Sequence, residues 1–314
     1  MSTGWKNILL VTGALIFWWM FTELCLRWLA GDHLTIPNQS LSNAAFQYDV
    51  ELGWKGVPDV TGQYAGTRTI TFLTNELGFR DRTLPDNSKP NLLFVGDSFT
   101  WGFDVEQEER FTNLLAEELQ GWNVVNSGVN GYGTDQTFLS LKRNMDQLNP
   151  KAVVLLYFSE NDRVDNSTNT RHGGYYKPYM MLRDSTLITE GIPVPKGQAF
   201  VYSTYPWLRF SYLARMGVNA WSANTLPPKI GIEDPTNPIF QEMNRYLSKY
   251  SIPFFVAYQG VDSTLINMLD SEDIPHLNVT NTHRYEALGG HWTPEGHKQV
   301  AEYLSTFLKT HNID

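Results

Sequence analysis

The chain has 314 residues, of which 42% are hydrophobic and 13% aromatic, so it has enough apolar material for one large core and an additional segment. Its net charge is −9, from 24 basic and 33 acidic residues, and it has no basic run, which leaves a nucleic-acid partner without an electrostatic footprint. The single cysteine, Cys25, lies in the N-terminal apolar stretch and excludes a disulfide in the globular part.

The N-terminal segment predicts a membrane anchor. Residues Ile8 to Leu29 are apolar over a length that, at about 1.5 Å per residue, crosses a hydrocarbon core of about 30 Å. Glu23 and Arg27 interrupt the run, but they stand four residues apart near its end and can pair in the headgroup region. We therefore expect residues 1–30 to be a retained transmembrane helix, with a cleaved signal peptide as the alternative.

The charges beside this segment predict its orientation. Lys6 and the amino terminus favour a cytoplasmic N-terminus, and Arg27 on the other flank partly offsets them. The expectation is a single-pass membrane protein whose globular domain is extracytoplasmic, that is, periplasmic.

Residues 31–88 predict a linker and a small β region that precedes the main domain. Residues 31–43 are polar and irregular, and 48–81 alternate turn signals with short β-like runs.

Residues 89–314 predict an α/β domain with a parallel sheet, because apolar strands alternate there with helical stretches. The predicted strands cover 91–96, 123–128, 152–158, 252–259 and 276–279, and the predicted helices cover 107–120, 133–148, 261–270 and 294–311.

An insert at about 163–234 interrupts this alternation, and its turn signals favour a hairpin followed by a short amphipathic helix. Its aromatic side chains favour a hydrophobic core of its own, and a wall for an acyl chain or sugar is the alternative. These side chains are Tyr175, Tyr176, Tyr179, Phe200, Tyr202, Tyr205, Trp207, Phe210, Tyr212 and Trp221.

Ser98 is the candidate nucleophile. It lies in the run Gly96–Gly102 (GDSFTWG), directly after the first strand of the sheet, and open α/β sheets place their sites at the carboxyl ends of strands. The alternative is an ordinary strand-to-helix turn in which Ser98 or Asp97 caps the next helix.

His291 is the candidate base. Thr293 and Pro294 are a good N-cap and first residue for the last helix, so His291 lies just ahead of that helix, where it can reach Ser98. His297 falls inside the helix and is interpreted as a packed side chain. The other histidines lack metal-ligand spacing, and no cofactor is expected.

Two further segments at strand ends predict an oxyanion hole. The backbone N–H groups of Ser98 and Gly131 and the side-chain amide of Asn161 would supply its donors. A tight turn at Gly131 and a loop asparagine that bonds its own backbone are the alternatives.

Together these segments resemble the SGNH (GDSL-type) hydrolases, through Ser98, Gly131, Asn161 and His291. The resemblance covers about residue 90 to the C-terminus and implies a flavodoxin-like three-layer α/β/α fold. Residues 74–81 also resemble the lead-in of membrane-anchored bacterial members.

The run His291–Gly296 is similar to the matching segment of alginate-type polysaccharide O-acetyltransferases. The predicted anchor and the aromatic insert favour a carbohydrate acceptor, and the expected substrate is an acylated glycan or an acylated small molecule.

The sequence departs from this family at its catalytic acid, which normally stands two or three residues before the histidine. Gly289 and Leu288 occupy those positions, and Ser159 replaces a family glycine. Glu286 is the nearest upstream carboxylate, although its spacing favours a solvated loop residue. In a catalytic triad, a carboxylate orients the imidazole and stabilises its charged form. Because the expected acid is absent here, the sequence predicts a Ser-His dyad.

The leading interpretation is therefore a membrane-anchored serine esterase or O-acyltransferase. The alternative is a catalytically impaired SGNH-like protein that serves as a structural or interaction subunit of a membrane complex, with other membrane subunits as partners.

Overall fold

The computed structural model describes residues 3–37, 45–82, 84–85, 88–286 and 289–314. The chain divides into two compact units. The small unit comprises Met1–Gln39, His172–Tyr175 and Lys196–Pro228, and the large unit comprises Ser40–Arg171, Tyr176–Pro195 and Lys229–Asp314.

The described residues form ten α-helices and thirteen strands. The helices are α1 (Thr3–Ala30), α2 (Ser98–Trp101), α3 (Phe111–Glu118), α4 (Thr134–Leu148), α5 (Asp162–Asn166), α6 (Gln198–Thr204), α7 (Tyr212–Thr225), α8 (Thr236–Ser248), α9 (Ser263–Ser271) and α10 (Pro294–Thr310). The strands are β1 (Phe46–Asp49), β2 (Gly53–Gly56), β3 (Thr61–Ala65), β4 (Thr69–Leu73), β5 (Asn91–Gly96), β6 (Asn123–Asn126), β7 (Pro150–Phe158), β8 (Thr170–Arg171), β9 (Tyr175–Tyr176), β10 (Tyr179–Arg183), β11 (Thr186–Glu190), β12 (Phe254–Gln259) and β13 (His276–Asn278). Short 3-10 helices cover Gln107–Glu109 and Pro206–Phe210.

The large unit is built on a five-stranded sheet with the order β13-β12-β7-β5-β6, in which every neighbouring pair is parallel. Numbered along the chain, the sheet reads 5-4-3-1-2, which is the flavodoxin-like order. The predicted α/β class and parallel sheet are therefore confirmed.

Helices cover both faces of this sheet. Alternate residues of each strand point to opposite faces, so both sets of side chains contact helices. On one face, β5 and β7 pack with α3 and α10 in a cluster that includes Leu92, Phe94, Phe111, Leu115, Val154, Leu156, Val300, Leu304 and Leu308. On the other face, Tyr157 of β7 contacts Phe240 of α8, with ring centroids 5.5 Å apart. A sheet covered on both faces requires apolar residues along whole strands, as in β5 and β12, where every residue is buried.

The predicted β region before the sheet forms two antiparallel hairpins, β1–β2 and β3–β4. The hairpin expected in the insert is β10–β11. The short amphipathic helix expected after it is replaced by two helices, α6 and α7, because Pro206 begins a 3-10 turn between them.

The small unit combines α1 with α6 and α7. Helix α1 has 28 residues and contains an 18-residue stretch with a mean hydropathy of 1.8, so it is long and apolar enough to cross a membrane. Its Glu23 side chain accepts hydrogen bonds from the Ser211 hydroxyl and from the Tyr212 and Leu213 N–H groups. Glu23 and Ser211 thereby satisfy amides that the first turn of α7 leaves unpaired.

Candidate active site

Ser98 is the first residue of α2, and only Asp97 separates it from the end of β5. Asp97 is the N-cap of this short helix, and its carboxylate accepts the Phe99 N–H at 2.9 Å. The abrupt change from strand to helix brings the Ser98 side chain to the carboxyl edge of the sheet, as its position in the sequence predicts.

His291 lies beside Ser98, and its Nε2 is 2.8 Å from Ser98 Oγ. The imidazole stacks on the Phe103 ring, with centroids 4.4 Å apart and planes 28° apart, and its centroid is 5.0 Å from that of Phe99. Packing against two aromatic rings fixes the imidazole plane. The proposed nucleophile and base are therefore within hydrogen-bonding distance of each other.

The residues after His291 attach its loop to the sheet. Trp292 is fully buried, and its indole N–H donates to the Gln259 side chain at the end of β12. Thr293 caps α10 by accepting the Gly296 N–H at 3.3 Å. The His291 carbonyl accepts the Tyr285 N–H at 2.8 Å. The last strand-to-helix connection is thus held from both sides of the histidine.

Asn161 reaches the same place from the end of β7. Its Nδ2 donates to Asp97 Oδ2 at 3.2 Å, and Ser98 Oγ lies 3.4 Å from that same oxygen. An amide has two hydrogens, so one remains for a second acceptor beside Ser98.

The Asp97 carboxyl beneath these groups is fully buried, and burial raises its pKa although Phe99 and Asn161 donate hydrogen bonds to it. Asp162 accepts the Phe158 N–H at 2.7 Å. Burial, together with the charge of Asp97, raises the pKa of Asp162 well above its usual range. The floor of the site therefore holds two buried carboxyl groups whose pKa values are both raised.

Gly131 lies in a turn in the loop after β6. The Tyr132 N–H donates to the Val129 carbonyl at 3.2 Å, and Gly131 has a φ of +79°, which a type II turn requires at its third position. The Val129 N–H donates to the Gly96 carbonyl at 3.0 Å, so this loop is attached to the end of β5, next to the serine.

Three positions before His291 are candidates for the catalytic carboxylate: 286, 288 and 289. Gly289 lies next to the imidazole: a Cβ built there would be 3.4 Å from His291 Cε1 and 3.8 Å from Nδ1. Glycine has no side chain to place in that gap. Glu286 is exposed, and Leu288 lies outside the described residues.

His297 is packed inside α10. It is fully buried, its Nδ1 accepts the Phe111 N–H at 3.3 Å, and its ring lies parallel to that of Phe111. Burial and the nearby charges of Arg110 and Arg80 lower the pKa of His297 to about 3. A neutral imidazole at physiological pH fits a structural role.

Sequence reasoning missed three side chains that contribute to the site: Asp97, Phe103 and Arg80. Asp97 was visible only as a helix cap, and nothing in the sequence places Phe103 against His291. Arg80 donates hydrogen bonds to the Trp101 and Gly102 carbonyls at the end of α2. A fully buried arginine in a loop would have been a signal, but burial cannot be read from one sequence.

No protein-family model and no curated protein matches the chain. Among solved structures, it is similar to the psychrotrophic esterase EstA from a Pseudoalteromonas species, with 9% identity and a TM-score of 0.40, over 72% of this chain and 100% of that one. It is also similar to a member of the lipolytic G-D-S-L family from Veillonella parvula, with 10% identity and a TM-score of 0.39, over 70% and 98% of the two chains. A GDSL-like lipase from Bacteroides thetaiotaomicron shows 12% identity and a TM-score of 0.39, over 72% and 91%.

The solved structures that resemble this chain are GDSL-type hydrolases and esterases.

Proposed function

We propose that the chain is a membrane-anchored serine enzyme that acts on acyl esters. Ser98 Oγ attacks the acyl carbonyl, and His291 Nε2 takes the hydroxyl proton and returns it to the leaving oxygen. The observation that carries this proposal is the 2.8 Å distance between these two atoms at the carboxyl edge of the sheet. The acyl group then passes from Ser98 Oγ to the oxygen of an acceptor hydroxyl, and His291 takes the acceptor's proton and returns it to Ser98 Oγ.

The oxyanion of the tetrahedral intermediate would be bound by the Ser98 and Gly131 N–H groups and by the free hydrogen of the Asn161 amide. The hydrogen bond to Asp97 orients this amide before substrate arrives. Donors that are already oriented cost no reorganisation during the reaction, and each is worth roughly 10²–10³ in turnover. In this proposal Asn161 donates a hydrogen bond to the oxyanion, and Asp97 orients the Asn161 amide for that role.

The acceptor in this proposal is water or a sugar hydroxyl, with an acylated glycan as the preferred substrate. The helix α1 would hold the enzyme at a membrane, with the large unit on the periplasmic side. The similarity of the run at His291 to alginate-type O-acetyltransferases supports the transferase. An experiment can distinguish a transferase from an esterase. A soluble oligosaccharide is added to the acyl-enzyme, and the fractions of acyl groups transferred to sugar and to water are measured.

A second candidate function is a structural or interaction subunit of a membrane complex. The observation that favours it is Gly289, which leaves the position beside the His291 ring without a carboxylate. A dyad without its acid loses up to about 10⁴ in turnover where the acid has been studied.

Covalent labelling of the full-length protein distinguishes the two. We expect a fluorophosphonate to label wild type and to leave Ser98→Ala unlabelled, and we expect hydrolysis of a short-chain aryl acetate to follow the same pattern. Ser263→Ala, which removes an exposed serine at the start of α9, is the matched control and should behave as wild type. If wild type is as inert as Ser98→Ala in both assays, the subunit function replaces the enzyme.

A further inference from the structure

The insert carries an unusual charge pattern. Between Glu190 and Glu233 the sequence has no acidic residue, whereas the chain as a whole has a net charge of −9. The same stretch contains the cations Lys196, Arg209, Arg215 and Lys229. A basic segment in an acidic protein indicates a partner with negative charge.

The part of the small unit after α6 exposes large aromatic side chains. The exposed fractions are 52% for Tyr205, 65% for Trp207 and 72% for Phe210. Phe200 and Tyr202 of α6 are buried, so these residues form the core of the unit. The predicted aromatic set thus separates into a buried group and an exposed group.

Helix α7 continues this exposed surface. Its exposed residues Met216, Ala220, Trp221 and Asn224 follow the spacing of one helical face. Arg215, beside this face, is the charged residue of the helix. A helix with an uncharged face and a cation beside it fits the pattern of helices that lie in the plane of a membrane interface.

Helix α1 holds this surface through its last turns. Besides the cap that Glu23 provides, Arg27 donates to the Phe210 carbonyl at 3.2 Å, and its guanidinium lies 5.2 Å from the centre of the Tyr212 ring. The exposed turn at Phe210 therefore lies level with the final turns of α1.

Those turns fall where the bilayer would end. About 20 helical residues cross the hydrocarbon core, so a span that begins after Lys6 leaves the core near residue 26. Phe210 and the start of α7 are thus held at the boundary between hydrocarbon and headgroups, where Trp side chains are enriched.

We propose that the small unit binds the membrane interface on the side where α1 ends. The turn from Tyr205 to Phe210 and the exposed face of α7 enter the headgroup region, and the cations of the insert that belong to the small unit, Lys196, Arg209 and Arg215, face anionic lipid phosphates. This inference rests on the proposed anchor, and it adds a second attachment that fixes how the unit is oriented on the bilayer.

Spin labels on single cysteines test this. In the full-length Cys25→Ser protein, labels would be placed at Phe17→Cys, Phe210→Cys and Ala220→Cys, with Val261→Cys as an exposed apolar reference on the large unit. The protein is reconstituted in phosphatidylcholine nanodiscs with phosphatidylglycerol. Collision with oxygen reports lipid exposure, and collision with a water-soluble nickel chelate reports water exposure.

We expect the ratio of oxygen to nickel accessibility to be highest at Phe17 and at least about threefold higher at Phe210 and Ala220 than at Val261. Equal ratios at Phe210, Ala220 and Val261, with Phe17 deep in lipid, would overturn the interface and leave the anchor intact. A water-exposed Phe17 would overturn the anchor. Labels at Phe210 and Ala220 that are shielded from both reagents would show a protein partner on this surface, against the proposal.

The lipid charge gives a second measurement. Removing phosphatidylglycerol should lower the ratio at Phe210 and Ala220 and leave that at Phe17 unchanged. A ratio that does not respond would show that the cations of the insert have no part in binding, contrary to the proposal.

Discussion

The imidazole of His291 is oriented by packing, through the stacked Phe103 ring and the neighbouring Phe99 ring. In a Ser-His-Asp triad the carboxylate both orients the imidazole and stabilises its charged form. Aromatic packing provides the first of these effects, and a carboxylate provides both. This difference identifies the position at which one substitution should improve the proposed enzyme.

Replacing Gly289 with Asp places a carboxylate beside the His291 ring, because a Cβ at Gly289 would be 3.8 Å from Nδ1. We expect kcat/KM for an aryl acetate to rise at least about tenfold, a part of the roughly 10⁴-fold that the carboxylate is worth in an established triad. A carboxylate also raises the pKa of a neighbouring imidazole, so the acidic limb of the pH profile should move to higher pH.

Gly289→Asn is the matched control. Position 289 has a φ of +84°, which Asp and Asn tolerate better than other residues with side chains, so both variants carry a similar backbone cost. The neutral amide should give neither effect. Equal rates and equal pH profiles in the two variants would show that the acid is not what limits this site.

Ser98 and His291 could be proposed from the sequence because each follows a strand and both carboxyl strand ends meet at one edge. Asp97 could not be given its place beneath Asn161, since the two residues are 64 positions apart. Their proximity depends on the pairing of β5 with β7, which local pattern does not reveal. The catalytic roles of Ser98, Gly131, Asn161 and His291 remain predictions.

Helix α2 has only four residues and needs contacts from outside the helix to stabilise it. Arg80 provides such contacts at its C-terminus. The guanidinium donates hydrogen bonds to four backbone carbonyls, those of Thr71, Trp101, Gly102 and Val105. It thereby joins β4 to the C-terminus of the helix that carries Ser98. A cation also suits the negative end of a helix.

Replacing Arg80 with Lys keeps the charge but removes the planar guanidinium. A single ammonium group cannot donate hydrogen bonds to all four carbonyls, which lie in different directions. We expect α2 to shift and kcat for the aryl acetate to fall about tenfold or more at similar KM, since small displacements of reacting groups are costly. The rate of fluorophosphonate labelling should fall with kcat.

Arg82→Lys is the control for charge and side-chain length in the same loop. Arg82 is exposed and pairs with the exposed Glu108 at 2.8 Å, an interaction worth little to stability. An Arg80→Lys protein that matches Arg82→Lys in kcat and labelling rate would show that α2 holds its position without the fork.

The sequence predicted the central strands because they are buried on both faces and are apolar throughout. It predicted less well where burial is one-sided or local signals compete. Helix α8 was not predicted, although its buried residues Ile239, Phe240, Met243 and Leu247 follow a helical face. The helix expected over 107–120 begins with a 3-10 turn before α3 starts at Phe111.

The large unit as a whole buries ionisable groups whose pKa shifts act on stability in opposite directions. The pKa of His297 falls to about 3, so its contribution to stability is complete above the unfolded value near 6.5 and is lost as pH decreases. Burial raises the pKa of Asp165 to about 7, so its contribution is complete below about 3.9 and is lost as pH increases. Between about pH 4 and pH 6.5, the two groups therefore change the free energy of unfolding with pH in opposite directions.

His297→Asn and Asp165→Asn should separate these slopes. Relative to His297→Asn, the free energy of unfolding of wild type should decrease by up to about 1.4 kcal/mol per pH unit on acidification from pH 6 to pH 4. Relative to Asp165→Asn, it should increase over the same change. Denaturant titrations of the three proteins at several pH values measure both differences, and parallel curves for all three would refute the assigned pKa shifts.

The order of the elements along the chain sets when the site can form during synthesis. Ser98 follows the first strand of the sheet, and His291, 193 positions later, comes just before the last helix. Helix α1 precedes both along the chain and is therefore synthesised before them. With α1 as the proposed anchor, a nascent chain would reach the membrane long before Ser98 acquires its proposed base. A chain whose synthesis stops before His291 would then carry the anchor without the Ser98–His291 pair.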